Sequence, residues 1–117
     1  MRYIILILLL LSSLYSDASY NRGETIFFAK ACTSCHGAAA EGSTTYPRLA
    51  NKKEAYLLKR LHYFKNGDML SVSQQMMAQF IQKLNKQNMK DLAHFLSHHK
   101  QVKMDDVSDD ILGGFGS

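Results

Sequence analysis

The chain has 117 residues, two cysteines, one proline and a formal net charge of +4 at neutral pH. This length fits one small domain, which buries only a modest apolar core and therefore gains from a large apolar cofactor. The positive charge alone is compatible with a nucleic-acid partner. No nucleic-acid-binding motif accompanies it, however, and the export signal described next also argues against such a partner.

The first 18 residues have the features of a secretory signal peptide. Arg2 supplies the positive start, an apolar run follows over residues 3–11, and small residues stand at Ser16 and Ala18. We therefore predict cleavage after Ala18 and a periplasmic location. The apolar run ends at Tyr15 at the latest, short of the ~20 residues of a membrane span. An uncleaved membrane anchor is thus the less favoured alternative.

A first helix is predicted over residues 21–31, because Ile26, Phe27 and Ala31 recur near helical spacing. Gly23 is a poor helix former in isolation. We interpret this glycine as a point where another helix approaches too closely for a side chain.

A C-x-x-C-H run follows at residues 32–36 and is the local signature for covalent attachment of a c-type haem. The thiols of Cys32 and Cys35 can add to the two vinyl groups of one porphyrin, and the imidazole of His36 can bind the iron. A thiol–disulfide C-x-x-C motif would need a βαβ context, which the predicted elements do not supply. A zinc site would need about four protein ligands, and no second Cys or Cys/His pair stands at a suitable spacing. The run therefore predicts one covalently bound haem c.

Residues 37–50 are predicted to form a loop, because they are rich in Gly, Ser and Thr. If His36 binds iron, its other ring nitrogen needs a hydrogen-bond acceptor to fix the tautomer. A backbone carbonyl of this loop can serve, and that of Pro47 is the first candidate. We expect Leu49 to pack against the porphyrin face.

A second helix is predicted over residues 52–66, with Gly67 as its stop. Asn51 and Glu54 resemble an N-terminal capping pair. Residues 68–83 are ambiguous: Ser and Gln suggest a loop at their start, and the stretch then turns apolar. Because its periodicity is weak, we expect a loop that can carry a ligand to the iron.

The last helix is predicted over residues 86–99, with Asn85 as its N-cap. Residues 101–117 form an acidic tail with a glycine-rich end, which we predict to be mobile. Charge is unevenly distributed: residues 19–100 carry 12 Lys/Arg and 5 Asp/Glu, a net of +7, and the tail carries one Lys and four Asp, a net of −3. The expected domains are thus a signal peptide at 1–18, a haem domain at 19–100 and a tail at 101–117.

In this order, the motifs resemble the class I c-type cytochromes, most closely the small bacterial periplasmic monohaem proteins and the single domains of dihaem relatives. The resemblance covers most of residues 22–98. Besides the run at 32–36, it rests on the following segments: Gly23, Phe28, Gly37, Y-P-R-L-A at 46–50, Y-L-L-K-R-L at 56–61, F-K-N-G at 64–67, M-M-A at 76–78, L-N at 84–85 and D-L-A-H-F-L at 91–96.

The resemblance implies an all-α fold in which about three main helices surround one haem. It also implies that the first and last helices cross near Gly23 and Phe95. Two features depart from the family pattern. Gly23 lies one residue further from Cys32 than is usual, and the acidic tail has no counterpart.

The resemblance further implies the two iron ligands. His36 is the proximal ligand, and the distal ligand is a methionine from the loop before the last helix. In relatives this methionine stands seven residues before the leucine that precedes the last helix. Counting back from Leu84 gives Met77, with Met76 as the runner-up and Met69 as a distant third. The resemblance also supports the backbone carbonyl of Pro47 as the hydrogen-bond acceptor for the ring of His36.

Iron with two protein ligands leaves no site for a substrate, so the expected function is one-electron transfer rather than catalysis. The expected route runs from a quinol-oxidising complex in the membrane to a terminal oxidase or a reductase. The basic body suggests a monomer that docks transiently on acidic surfaces of redox partners. Candidate docking residues are Lys30, Lys52, Lys53, Lys83 and Lys86.

Three alternatives stay open. The chain can be a cytochrome subunit of a larger oxidoreductase, such as a flavocytochrome that oxidises sulfur compounds. It can be a ligand-binding or peroxidatic haem protein in which Met77 is displaced, or a thiol–disulfide module without haem. Four further histidines are possible replacements for Met77, but we expect each at the surface or rim: His62, His94, His98 and His99.

Overall fold

The computed structural model describes residues 1–99, apart from the side chain of Ser16, and this part of the chain is helical without strands. Its helices are α1 (Arg2–Ala29), α2 (Thr33–His36), α3 (Glu54–Asn66), α4 (Val72–Gln82) and α5 (Lys86–Ser97). The prediction of an all-α fold is confirmed. The tail predicted at 101–117 lies outside the described residues.

Helix α1 begins at Arg2 rather than near Asn21, so the predicted signal segment and the first helix of the domain are one continuous helix. Neither Gly nor Pro interrupts the segment before Gly23. The helix is long and apolar enough to cross a membrane, a test that an N-terminal signal sequence also passes. The apolar segment expected from the sequence was shorter than this helix because it ended at Tyr15 at the latest. Cleavage after Ala18 stays a prediction.

Helices α1 and α5 cross at Gly23, which is buried. A Cβ atom at this position would lie 2.6 Å from Cβ of Phe95, so a side chain there would collide with α5. Two aromatic rings of α1 pack around Phe95, that of Tyr20 at a centroid distance of 5.0 Å and that of Phe27 at 5.7 Å. The predicted crossing near Gly23 and Phe95 is confirmed.

A buried carboxylate, Asp91, joins the same two helices. It accepts hydrogen bonds from Ser19 Oγ at 2.8 Å, Arg22 Nε at 2.9 Å and Gln87 Nε2 at 3.0 Å. Burial disfavours its charged form, but the hydrogen bonds from Arg22, Ser19 and Gln87 outweigh that effect and lower the pKa of Asp91. The carboxylate is therefore ionised at neutral pH and holds α1 against α5.

Helix α3 begins at Glu54, not at Lys52, and the predicted capping pair of Asn51 and Glu54 is wrong. Lys53 is the N-cap and makes no side-chain cap hydrogen bond. Asn51 instead adopts a left-handed conformation with φ of 59°, which Asn tolerates better than most residues, and its N–H donates to the carbonyl of Leu96 at 2.8 Å. The helix ends at Asn66, before Gly67, as predicted.

The ambiguous stretch at residues 68–83 contains a helix, α4, rather than only a loop. Its N-cap is Ser71, whose hydroxyl accepts from the N–H of Gln74 at 3.2 Å. Met77 and Ile81, four residues apart, both pack against the core. In α5, Asn85 is the N-cap as predicted, and it forms a capping box with Asn88. This last helix ends at Ser97, two residues earlier than expected.

Candidate haem site

A cavity of about 660 Å³ lies between the helices and the loop at residues 37–50. Its size falls within the ~300–1,000 Å³ of ordinary ligand sites. Most of its wall is aliphatic and aromatic, with Phe27, Leu57, Leu61, Leu92 and Leu96 among the lining residues. The cavity brings together seven residues that the sequence predicted for the site: Cys32, Cys35, His36, Pro47, Leu49, Met76 and Met77.

The two cysteines stand on a tight turn of their own. After α1 the chain reverses at Ala31, which has a φ of 58°, and the N–H of Cys32 donates to the carbonyl of Phe27 at 3.2 Å. Helix α2 follows at once, so Cys32 and Cys35, three residues apart on a helical turn, share one side of it. Both are free thiols and half-buried. Burial raises the pKa of the Cys32 thiol.

The imidazole of His36 is buried and held by a backbone carbonyl. Its Nδ1 lies 2.9 Å from the oxygen of Pro47, so the ring donates its Nδ1 hydrogen there. The lone pair of Nε2 is then free to bind a metal. The structure thus leaves Nε2 of His36 as the ring nitrogen that can bind iron.

The position of the Pro47 carbonyl depends on a glycine. The N–H of Gly42 donates to the carbonyl of His36 at 2.8 Å, and the N–H of Ser43 donates to that of Tyr46 at 2.8 Å. Gly42 has a φ of 69°, and a Cβ on it would lie 2.6 Å from the carbonyl carbon of Pro47. Only glycine fits this close fold of the loop onto itself.

The end of the same loop is closed by Ala40. Its carbonyl accepts from the N–H groups of Leu49, at 2.9 Å, and Ala50, at 3.1 Å. Leu49 is half-buried and packs against the core while lining the cavity. The loop therefore presents the apolar side chain of Leu49 and the carbonyl of Pro47 to the site, among other groups.

Both methionines favoured from the sequence lie on α4 and line the cavity. This corrects the expectation that a loop carries them. Met77 is half-buried and packs against the core, whereas Met76 is 51% exposed. Met69, the third candidate, is not among the lining residues.

A single lysine of α3 fixes the end of α4. The ammonium of Lys65 donates to the carbonyl of Leu84 at 2.8 Å and to those of Ile81 and Gln82. In return the side-chain amide of Gln82 donates to the carbonyl of Lys65 at 3.1 Å. Because carbonyls at a helix C-terminus lack partners within the helix, a cation there is favourable. This contact holds the methionine-bearing helix against α3.

Three basic side chains belong to the wall: Arg48, Lys52 and Arg60. Lys52 was expected only as a docking residue, and Arg48 and Arg60 were quoted only within motifs. The helical period gives a signal for Arg60, which stands between Leu57 and Phe64 at spacings of three and four residues. Arg48 and Lys52 lie in irregular segments, where no period marks the inward side. Tyr46, which was quoted only as part of a motif, also lines the cavity. A hydrogen bond with Cys35 raises the pKa of Tyr46.

The other histidines of the described residues lie elsewhere. His62 lines a separate cavity of about 470 Å³ with Lys83 and Lys86. His94 approaches Glu54, and its ring lies 4.4 Å from that of His98. His36 is the histidine among the residues that line the larger cavity.

Residues 20–100 match the family model described as cytochrome c. The chain belongs to the cytochrome c family. Family members carry out haem-based electron transfer and bind iron as covalent haem c. The C-x-x-C-H run at residues 32–36 meets that requirement, so the prediction of haem c as the cofactor of this cytochrome is confirmed.

Two relatives agree with this assignment. A cytochrome c-552 of Acidithiobacillus ferridurans is 35% identical over 80 residues, which are 68% of this chain and 34% of the relative. The structure of the cytochrome c4 of Acidithiobacillus ferrooxidans, reported to support a complex-induced tuning of electron transfer, matches with a TM-score of 0.60 and 32% identity, covering 68% of this chain and 49% of that one. The cytochrome thus spans about a third of the first relative and about half of the second.

The cavity fits haem c on its own features. It is apolar, holds two free thiols on one helical turn, and contains an imidazole whose Nδ1 is already paired. The basic groups of Arg48, Lys52 and Arg60 suit the carboxylates of a porphyrin.

Proposed function

We propose that this cytochrome is an exported one-electron carrier whose haem c is held by Cys32 and Cys35 and whose iron is bound by His36 and Met77. The observation that carries the proposal is the cavity in which these four residues meet. Both axial positions would be filled by protein, which leaves electron transfer as the function.

The haem supplies a one-electron Fe(III)/Fe(II) couple when it is bound. The protein contributes ligands that stay in place in both oxidation states. The Pro47 carbonyl holds the His36 ring, and Cys32 and Cys35 would hold the haem through two thioether bonds. The thioether of Met77 is a soft ligand that favours reduced iron, and the aliphatic wall excludes water, which acts in the same direction.

Burial supports Met77 over Met76 as the distal ligand. An iron ligand must keep one position, and Met77 is packed against the core, whereas half of Met76 faces solvent. Met76 and Met77 are adjacent on α4, so their side chains project about 100° apart around the helix axis and point in different directions.

The positive charge around the cavity supports a redox partner with an acidic docking surface. Lys52 is exposed and lines the cavity, as do Arg48 and Arg60, so positive charge surrounds the site. Of the lysines expected to dock a partner, Lys83 and Lys86 line the smaller cavity instead. We therefore centre the proposed docking surface on Lys52. An N-terminal apolar helix is compatible with a signal peptide, which supports a periplasmic location.

Optical spectroscopy of the oxidised haem-loaded protein tests the distal ligand. We expect a methionine–iron charge-transfer band in the wild type, its loss in Met77→Ala and its retention in the matched control Met76→Ala. A band that survives Met77→Ala and disappears in Met76→Ala would assign Met76 instead. Carbon monoxide binding to the reduced wild-type protein would contradict a closed iron site and favour a ligand-binding or peroxidatic role.

A further inference from the structure

A second group of possible metal ligands lies on the surface where α3 begins and α5 ends. Glu54, His94 and His98 each present one ligand atom, and these atoms lie within 4.8 Å of one another. Glu54 is the first residue of α3, His94 lies on α5, and His98, four residues later, is the C-cap of α5. Two histidines four residues apart on a helix share one face, as in known helical zinc sites.

The distances suit a metal ion better than a hydrogen bond. His94 Nδ1 lies 3.4 Å from Glu54 Oε2, which exceeds the ~2.7–3.2 Å of an ordinary N–H···O hydrogen bond. Two ligand atoms about 2.0–2.1 Å from a tetrahedral zinc ion are separated by about 3.3 Å. The three ligand atoms all lie within 4.8 Å of one another, and the exposed side chain of Glu54 can rotate to close the remaining difference.

The ring of His98 is already oriented. Its Nδ1 lies 3.0 Å from the carbonyl oxygen of His94 and 2.9 Å from Ser97 Oγ. Metal-binding histidines commonly donate one ring N–H to a backbone carbonyl, which leaves the other nitrogen for the metal. His98 meets this condition with Nε2 free.

This group of three residues is separate from the haem site. Leu92 and Leu96 of α5 line the haem cavity, whereas His94 and His98 each lie two residues further along, which turns them by about 200° around the helix. None of the three residues lines the haem cavity. A metal ion here would act on the packing of α3 against α5 rather than on the iron.

We propose that Glu54, His94 and His98 form a surface site for a divalent transition-metal ion of the zinc class. Imidazole and carboxylate are ligands that zinc accepts, and three protein ligands leave one position for water. The bound ion ties the start of α3 to the end of α5, so it stabilises the folded protein.

Isothermal titration calorimetry of the haem-loaded full chain with Zn²⁺ tests the site. We expect one Zn²⁺ ion per chain and a higher Tm in its presence. The double variant His94→Asn/His98→Asn should lose at least about tenfold in Zn²⁺ affinity and lose the rise in Tm. Glu54→Gln should weaken binding in the same direction, and His62→Asn, a histidine outside the group, should bind as the wild type does.

Two results would overturn the proposal. One is the absence of Zn²⁺ binding by the wild type. The other is equal binding by the wild type and the double variant, which would assign the ion to carboxylates elsewhere, such as those of the acidic tail or the haem. If the double variant does not fold, the single variants His98→Asn and Glu54→Gln decide the question, since both positions are exposed.

Discussion

Two pairs of helices are held together in different ways: α1 crosses α5, and α3 and α4 form a wall of the cavity. At the crossing, Gly23 allows backbone contact, aromatic rings fill the space around Phe95, and the ionised Asp91 is fully paired. At the wall, the contacts include one lysine that bonds to carbonyls, and the space between the helices and the rest of the core is a large cavity. The contacts at Gly23 and Asp91 are therefore made between protein atoms alone, whereas α3 and α4 face the cavity that fits haem c.

This difference divides the protein into a part that carries stability and a part that carries function. A filled core tolerates little change in volume. A wall that depends on a few polar contacts opens locally before the rest of the fold does, and α4, which carries the proposed ligand Met77, would move with it. Four substitutions test the contrast.

The largest effect is expected for Gly23→Val at the crossing. The added side chain would meet the backbone of Asp91 and Cβ of Phe95, neither of which can move away without separating the helices. We expect a loss of about 3 kcal/mol in the free energy of unfolding, measured by denaturant unfolding of the haem-loaded protein. Glu24→Val places the same residue on the exposed side of the helix and should cost much less. Equal losses would show that the crossing is not tight.

The next effect is expected for Asp91→Asn, which removes the charge that Arg22 pairs with. Because Arg22 is half-exposed, we expect a loss of about 2 kcal/mol at pH 7, below that of a fully buried pair. The pKa of Asp91 is lowered on folding, so its stabilisation is present above the unfolded value of about 3.9 and is lost as pH falls through the folded pKa.

Unfolding measured at pH 7 and at pH 3 checks the sign. The difference between wild type and Asp91→Asn should shrink at the lower pH. Asp68→Asn, at an exposed position, is the matched control and should show little difference at either pH. A difference for Asp91→Asn that does not change with pH would contradict an ionised, stabilising carboxylate.

A smaller effect, confined to the wall, is expected for Lys65→Met. The substitution leaves the carbonyls at the end of α4 without their cation and should cost about 1.5 kcal/mol. The substitution should increase the rate of hydrogen exchange more in α4 than in α5. Lys59→Met on an exposed part of the same helix is the control. Equal acceleration in both helices would mean that α4 does not open separately.

The smallest effect is expected for Ser71→Ala, which removes the N-cap of α4. Its hydroxyl accepts from the N–H of Gln74, and loss of such a cap costs about 1 kcal/mol. Thermal unfolding should show a small decrease in Tm, and exchange should increase in the first turn of α4. Gln75→Ala, at an exposed position within the helix, should leave both unchanged.

The parts of the site that could be predicted are those whose chemistry lies in contiguous residues. The run at 32–36 specifies two thiols and an imidazole by itself, and the family order of motifs pointed to Gly23, Phe95 and Pro47. Helix α4 was not predicted because only a short stretch of its sequence is apolar. Its N-cap, Ser71, is also a residue type that is common in loops. The capping pair at Asn51 failed because tertiary contact with Leu96 sets the backbone there.

Other features depend on distant parts of the chain and leave no local pattern. Arg48 lines the cavity from the loop segment that packs against Gly42, and Lys52 lines it from the irregular segment before α3. Glu54 and His94 are 40 residues apart in sequence and meet only when α3 packs on α5. Sequence patterns give the period of one element, but they do not give the contacts between two elements.

The continuity of α1 has a consequence for the order of events in the life of the chain. If a signal peptidase cuts after Ala18, the cut falls inside a helix and directly before Ser19, whose hydroxyl is bound to Asp91. Proteolysis requires backbone that is accessible and free of such bonds. Cleavage at this position would therefore take place while α1 is not yet docked on α5, when the bond between Ser19 and Asp91 has not formed.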